Sequence, residues 1–119
     1  MVNQAQELTR RLDETIIRPR AVMWVHSSEG DTWRLWIVPS EDVTDKHRFY
    51  RIVAETISKN PETLAGLDVG SVELASPSHP AMKGMARVLR QEGVGSSMFS
   101  GNTFDGFYLP DGVVIRMGL

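Results

Sequence analysis

The chain has 119 residues, of which 41% are hydrophobic, and its formal net charge at pH 7 is -2. Because cysteine is absent, a disulfide framework, a thiolate metal site and a cysteine nucleophile are excluded. A chain of this length usually forms one core, so we expect a single domain over residues 1–119, and without an overall basic field we do not expect nucleic-acid binding.

The amino-terminal residues do not resemble a secretion signal. The segment MVNQAQELTRRLDET has no apolar central region, and no apolar run in the chain approaches the roughly 18 residues of a membrane span. We therefore expect a cytoplasmic protein that does not enter a membrane.

The first predicted element is an amphipathic helix over about residues 3–17. Its apolar positions recur at steps of three and four, and they are Ala5, Leu8, Leu12 and Ile16. Pro19 disfavours helical backbone at the preceding residue, so the helix should end there.

A β-hairpin is predicted next. Residues 21–26 and 32–38 are rich in β-branched and aromatic side chains, and Ser-Ser-Glu-Gly-Asp lies between them. If His26 pairs with Thr32, one face carries Ala21, Met23, Val25, Trp33, Leu35 and Ile37. The other face then carries Val22, Trp24, His26, Arg34 and Trp36. A slip of one residue would change this division, so the faces depend on the register.

Two further helices and a short strand are predicted in the middle of the chain. The second helix has an apolar stripe that ends near Asn60, formed by Phe49, Ile52, Val53, Thr56 and Ile57. Residues 71–75 alternate as a half-buried strand does. The third helix begins near Pro80, ends at Gly93 and has an apolar face of Met82, Met85, Ala86 and Leu89.

The carboxyl-terminal part contains a glycine-rich segment and a predicted hairpin. Residues 93–106 are expected to be irregular apart from a short strand near Met98, either as a loop pinned by apolar side chains or as one that closes over a binding site. Residues 103–109 and 113–117 should form a hairpin with its turn at Pro110-Asp111-Gly112. The closing strand, residues 113–117, is the predicted sheet edge for self-association.

The predicted fold class is α+β. The element order α-β-β-α-β-α-β-β is typical of a two-layer sandwich, in which helices pack on one face of a mostly antiparallel sheet. We expect one continuous core that contains Trp33, Leu35, Ile37, Ile52, Val53, Leu74, Met85 and Leu89.

The sequence lacks the spacings of common catalytic sites. The histidines, which are His26, His47 and His79, do not form the pairs that place two metal ligands on one helix face. There is no Gly-x-Ser-x-Gly nucleophile turn, and the glycine-rich segment follows a helix and lacks the lysine of a phosphate loop. We therefore predict no metal and no cofactor, and we assign no catalytic residue.

Four residues are candidates for a partner surface: Trp24, Arg34, Trp36 and Phe99. On the predicted register the first three share a face, where an arginine between two indoles could contact a peptide, a base or another protein. Tryptophans of a central hairpin are more often buried, so a core position is the alternative.

The predicted turn from strand to helix at residues 76–83 is the candidate ligand site. Ser76, Ser78, His79 and Lys83 place hydroxyls, an imidazole and an ammonium group where a helix begins. Helix amino termini favour anions, but serine followed by proline is also a common helix start, so structural capping is the alternative.

These patterns favour a non-catalytic protein-interaction or regulatory module that forms a homo-oligomer or binds another protein. The alternative is a small enzyme or ligand-binding domain for an anionic small molecule, which would use the turn at residues 76–83.

Overall fold

The helices and strands follow the predicted order. The computed structural model describes residues 1–27, 30–104 and 106–119. In these residues the helices are α1 (Val2–Leu12), α2 (Lys46–Lys59), the short α3 (Pro61–Leu64) and α4 (Pro80–Val88), and a 3-10 turn spans Val69–Ser71. The strands are β1 (Ala21–Ser27), β2 (Thr32–Val38), β3 (Val72–Leu74), β4 (Ser97–Phe104) and β5 (Phe107–Met117). None of the described helices has the length and apolar character that crossing a membrane requires.

The described strands form one sheet in the order β3-β2-β1-β5-β4. β3 runs parallel to β2, and the other neighbouring pairs are antiparallel. The predicted α+β class with a mostly antiparallel sheet is therefore confirmed. The prediction that residues 113–117 form a sheet edge is wrong, because β5 lies between β1 and β4 and the edges are β3 and β4.

Helices pack on both faces of the sheet, so the predicted single helix layer is incomplete. The face covered by α1 and α2 carries Val22, Trp24, Leu35, Ile37, Val113 and Ile115. The face covered by α4 carries Ala21, Met23, Val25, Val38, Val114 and Met117. The chain must cross the sheet between β3 and β4, which are opposite edges, and α4 crosses on the face that α1 and α2 leave open.

The core accordingly consists of two clusters. Leu35, Ile37 and Val53 are buried in the cluster on the α1 face. Met85 is buried in the cluster on the α4 face, with Leu89 packed against it. The prediction of one continuous core is wrong, because the backbone of the sheet separates these two groups.

The hairpin of β1 and β2 has a different register from the predicted one. Ser27 pairs with Thr32, and His26 pairs with Trp33. The predicted pairing of His26 with Thr32 is wrong by one residue, because β1 extends to Ser27. A strand buried on both faces has no apolar alternation to indicate its register. Of the predicted turn, residues 28 and 29 lie outside the described residues.

A long hairpin of β4 and β5 occupies the segment that was predicted to be irregular. It pairs Ser97 with Val114 at one end and Phe104 with Phe107 at the other. The predicted turn at residues 110–112 is wrong, since these residues belong to β5. Residue 105 lies outside the described residues.

Two contacts attach α1 to the sheet. The indole Nε1–H of Trp24 donates to the carbonyl of Met1 at 3.1 Å. The guanidinium of Arg116 donates to both carboxylate oxygens of Asp13, at 2.6 and 2.9 Å, and to the carbonyl of Pro19 at 3.0 Å. These bonds hold the two ends of α1 to β1 and β5.

Candidate functional site

The residues of the predicted partner surface lie in three separate places. Trp24 is buried under α1, which is the core position given as its alternative. Arg34 and Trp36 lie on the opposite face, where Trp36 packs against the cluster covered by α4, and Phe99 lies on the edge strand β4. The prediction that Trp24 shares a face with Arg34 and Trp36 is wrong, because it depended on the shifted register.

Trp36 instead lies beside the predicted ligand site. The ring centroid of His79 is 5.0 Å from that of Trp36 and 4.8 Å from that of Phe107, and both contacts are edge-to-face. We call Trp36, His79 and Phe107 the aromatic row. The two sites that the sequence suggested separately are therefore neighbours, while Phe107 had no indication in the sequence spacing.

The polar groups of residues 76–83 bond to one another. The hydroxyl oxygens of Ser76 and Ser78 are 2.8 Å apart, and Ser76 Oγ accepts from the backbone N–H of Ser78. Nδ1 of His79 accepts from the backbone N–H of Ala81 at 3.1 Å and so caps α4. Lys83 is exposed one turn further on. The hydrogen bonds of Ser76, Ser78 and His79 are those of the structural alternative, in which these residues cap the helix. Anion binding at residues 76–83 stays a prediction.

A small cavity adjoins the aromatic row. It has a volume of about 110 Å³, and its walls are Trp36, Glu73, Leu74, Ala75, Ser76 and His79. The indole N–H of Trp36 is buried and has no hydrogen-bond partner within the part of the chain that the structure describes. Glu73 also faces Arg34, with 3.7 Å between Oε2 and Nε. The walls of the cavity therefore combine an indole ring and an imidazole ring with the carboxylate of Glu73.

No cluster of three or more histidine and acidic side chains suited to a metal ion occurs among the described residues.

The second surface is the free edge of β4. No other strand of the described residues pairs with its outer side. Met98 on β4 is 86% exposed, and Val88 on the neighbouring α4 is 69% exposed. Two apolar side chains therefore stand in solvent beside a strand that lies at the edge of the described sheet, which is the arrangement that favours strand addition.

Grooves flank β4 on both faces of the sheet. The groove between α4 and β4, which we call the α4 groove, has a volume of about 320 Å³ and is formed by Met85, Val88, Leu89, Ser97, Met98, Phe99 and Val114. The groove on the other face, the α1-face groove, has a volume of about 560 Å³ and is formed by Trp33, Met98, Phe99, Ser100, Asp111, Gly112 and Val113. Side chains of an added strand would point alternately into the two grooves.

Gln91 covers the part of β5 that extends past the start of β4. Its backbone exchanges two hydrogen bonds with Met117, at 2.9 and 2.8 Å, and its side-chain amide donates to the carbonyl of Ile115. Ser97 Oγ in turn donates to the side-chain oxygen of Gln91. The free edge of this side of the sheet is thereby confined to β4.

Sequence reasoning found Phe99 of this edge but not Val88 or Met98 as exposed groups. Val88 lies off the apolar face predicted for its helix, and this position is the feature of the sequence that indicates its exposure.

Comparison of the chain with protein-family models, with curated proteins and with solved structures gives no match.

Proposed function

We propose that this chain is a non-catalytic protein-interaction module that binds an extended segment of a partner along β4. One observation carries the proposal. Apart from Met1, the exposed large hydrophobic side chains of the described residues all belong to α4 or to the β4–β5 hairpin, and they are Val88, Met98, Phe107 and Tyr108. Val88 and Met98 line the α4 groove beside the edge strand, and exposed apolar side chains beside a sheet edge are typical of protein contact sites.

Strand addition is the binding mode that suits this edge. An extended peptide can form main-chain hydrogen bonds to the outer side of β4, while its alternate side chains enter the α4 groove and the α1-face groove. The sequence of β4 contains no proline and no charged residue, the two features by which edge strands commonly prevent such pairing.

Selection of random linear peptides displayed on phage tests the proposal. We expect peptides with alternating apolar residues to be enriched on the immobilised protein. Val88→Ser and Met98→Ser should weaken their binding about three- to tenfold, since each change removes apolar contact area. Both side chains are largely exposed, so the fold should tolerate the changes. The control is Ala65→Ser, an exposed position at the end of α3.

Amide hydrogen exchange identifies the binding mode. Strand addition should slow the exchange of alternate amides of β4, those that point away from β5, and leave α2 unchanged. Peptides that bind equally to the two variants, or that protect amides elsewhere, would show that β4 is not the contact surface and would remove the proposal.

A second function, binding of a small anionic molecule, is favoured by the cavity beside the aromatic row, whose walls include Ser76 and His79. Titration with inorganic phosphate, followed by NMR, should then shift the indole resonance of Trp36 and the amide resonances of Ser78 and His79. A titration that leaves these resonances unmoved while the same phosphate shifts exposed lysines would rule out a phosphate site here.

A further inference from the structure

Resting on the strand addition proposed above, we infer that the partner segment carries a long basic side chain, arginine in preference to lysine, which enters the α1-face groove and binds Asp111. The inference comes from the side chains that form the two grooves. The described residues of the α4 groove include no charged side chain. Those of the α1-face groove include the carboxylate of Asp111. The two sides of an added strand therefore meet different chemistry.

Asp111 supplies the charge of the α1-face groove. Asp111 is exposed, and its carboxylate makes no hydrogen bond or ion pair with any residue that the structure describes. His26, which pairs with Asp111 across β1 and β5, is bonded to Asp31 instead, with 2.7 Å between Nε2 and Oδ1. The pair of His26 and Asp31 has no net positive charge in either protonation state of the imidazole. The carboxylate of Asp111 can therefore accept a cation from a partner.

The strand register places Asp111 within reach of a long side chain. Asp111 pairs with Ser100 on β4, so an added strand beside β4 would lie two strand spacings, about 10 Å, from Asp111. Ser100, which lies between them, has a short side chain. Arginine and lysine have both the length to extend over Ser100 and the charge that the carboxylate binds.

Trp33 forms the far wall of the same groove. Cross-strand pairing forms one row over four strands, which consists of Ser100, Asp111, His26 and Trp33. A guanidinium can donate two N–H groups to a carboxylate and can stack on an indole ring, whereas an ammonium group is a point charge without this planar geometry. The combination of a carboxylate with an indole therefore favours arginine over lysine.

The alternation of an extended strand determines what flanks the arginine. Successive residues of an added strand point to opposite faces, so the two neighbours of the arginine face the α4 groove. Val88 and Met98 offer apolar contacts there. The recognised pattern is thus an arginine between two apolar residues.

The test uses the peptide that binds best in the selection described above. Replacing its basic residue by glutamine and changing Asp111→Asn in the protein should each weaken binding about two- to fivefold. Applied together, the two changes should weaken binding no more than either does alone, because both remove the same contact. With lysine at this position the peptide should bind between the arginine and glutamine forms. Glu55→Gln, at an exposed carboxylate on α2, is the matched control.

Two further measurements address the position and the charge of the basic residue. Moving it by one position should weaken binding, because the side chain then faces the α4 groove. Added salt should weaken binding of the arginine peptide more than binding of the glutamine peptide. Asp111→Asn should leave the urea midpoint unchanged, since the side chain is exposed and makes no bond within the described residues.

The outcomes separate this inference from the proposed function. Equal binding of the arginine and glutamine peptides, with Val88→Ser and Met98→Ser still harmful, would overturn the basic preference and leave strand addition in place. Additive losses from Asp111→Asn and the glutamine replacement would show that the basic residue binds elsewhere, and would overturn the assignment to Asp111. No peptide that depends on β4 would overturn both proposals. Sedimentation that gives a dimer for the unmodified chain and a monomer for Met98→Ser would assign the edge to a second copy and overturn the inference of a different partner.

Discussion

The ring of Phe99 lies directly over Gly112, its partner on the neighbouring strand. A β-carbon at position 112 would overlap Cζ of that ring and would stand 2.5 Å from the carbonyl oxygen of Trp24. Glycine in the middle of β5 is therefore required by the close approach of an aromatic ring and a backbone oxygen. The contact holds Phe99 between the two grooves, where it contributes to both.

Gly112→Ala should destabilise the protein by about 1–3 kcal/mol, the usual cost of forcing an extra carbon into a packed site. The ring of Phe99 can move, but the carbonyl of Trp24 belongs to the sheet backbone and cannot. Urea denaturation measures the change. Gly93→Ala is the control, since nothing lies within 4 Å of its β-carbon position. Equal midpoints for the two variants would contradict the contact.

This glycine also explains why the second hairpin was misplaced in the sequence prediction. Pro110-Asp111-Gly112 has the composition of a turn, and residues 93–106 have the composition of a loop. In the structure Gly112 serves packing within a strand, and β4 ends at Phe104 and β5 begins at Phe107, so the connection between them precedes the expected turn. Composition cannot distinguish a glycine needed for a turn from one needed beneath a ring.

The helices and the first two strands were predictable, because local patterns specify them. The apolar stripe of α2 and the proline at the start of α4 both indicate their elements correctly. The faces of β1 were not predictable, because the residues from Ala21 to Val25 are all buried. The wrong register placed Trp36 on the wrong face, so its contact with His79 was not predicted. The residues of the two candidate sites were therefore identified from the sequence, but their proximity was not.

Leu35→Ala and Met85→Ala should each destabilise the protein by about 2–5 kcal/mol, since Leu35 is fully buried on the α1 face and Met85 is 2% exposed on the α4 face. Ile52→Ala should cost less, because Ile52 is only partly buried. The double variant of Leu35 and Met85 should lose about the sum of the two, as the side chains lie on opposite faces of the sheet. Chemical denaturation of the four variants checks this order. A loss of stability in the double variant that differs strongly from the sum of the single losses would mean that the two clusters are energetically coupled.

Asp13→Ala should destabilise the protein by about 1–3 kcal/mol, because it leaves the guanidinium of Arg116 without its charged acceptor. The side chain of Arg116 is 13% exposed. The control is Asp42→Ala at the pair with Arg18, where both side chains are more than half exposed and the expected cost is within about 1 kcal/mol. Thermal or urea unfolding that finds equal losses for the two variants would mean that the Arg116 pair acts as an ordinary surface pair.

His79 provides the last prediction, because it joins the cap of α4 to the aromatic row. His79→Ala removes both the acceptor for the backbone N–H of Ala81 and the ring contacts, whereas His79→Asp restores an acceptor at the helix amino terminus without the ring. If capping is the main role, His79→Ala should cost about 0.5–2 kcal/mol and His79→Asp should recover most of that loss. If packing between Trp36 and Phe107 is the main role, both variants should lose stability to a similar extent. Urea denaturation gives the stabilities, and the indole resonance of Trp36 reports the ring contact directly. His79→Asp could recover the stability and still displace the Trp36 resonance. That result would mean that Nδ1 of His79 stabilises the start of α4, whereas its ring determines the shape of the cavity.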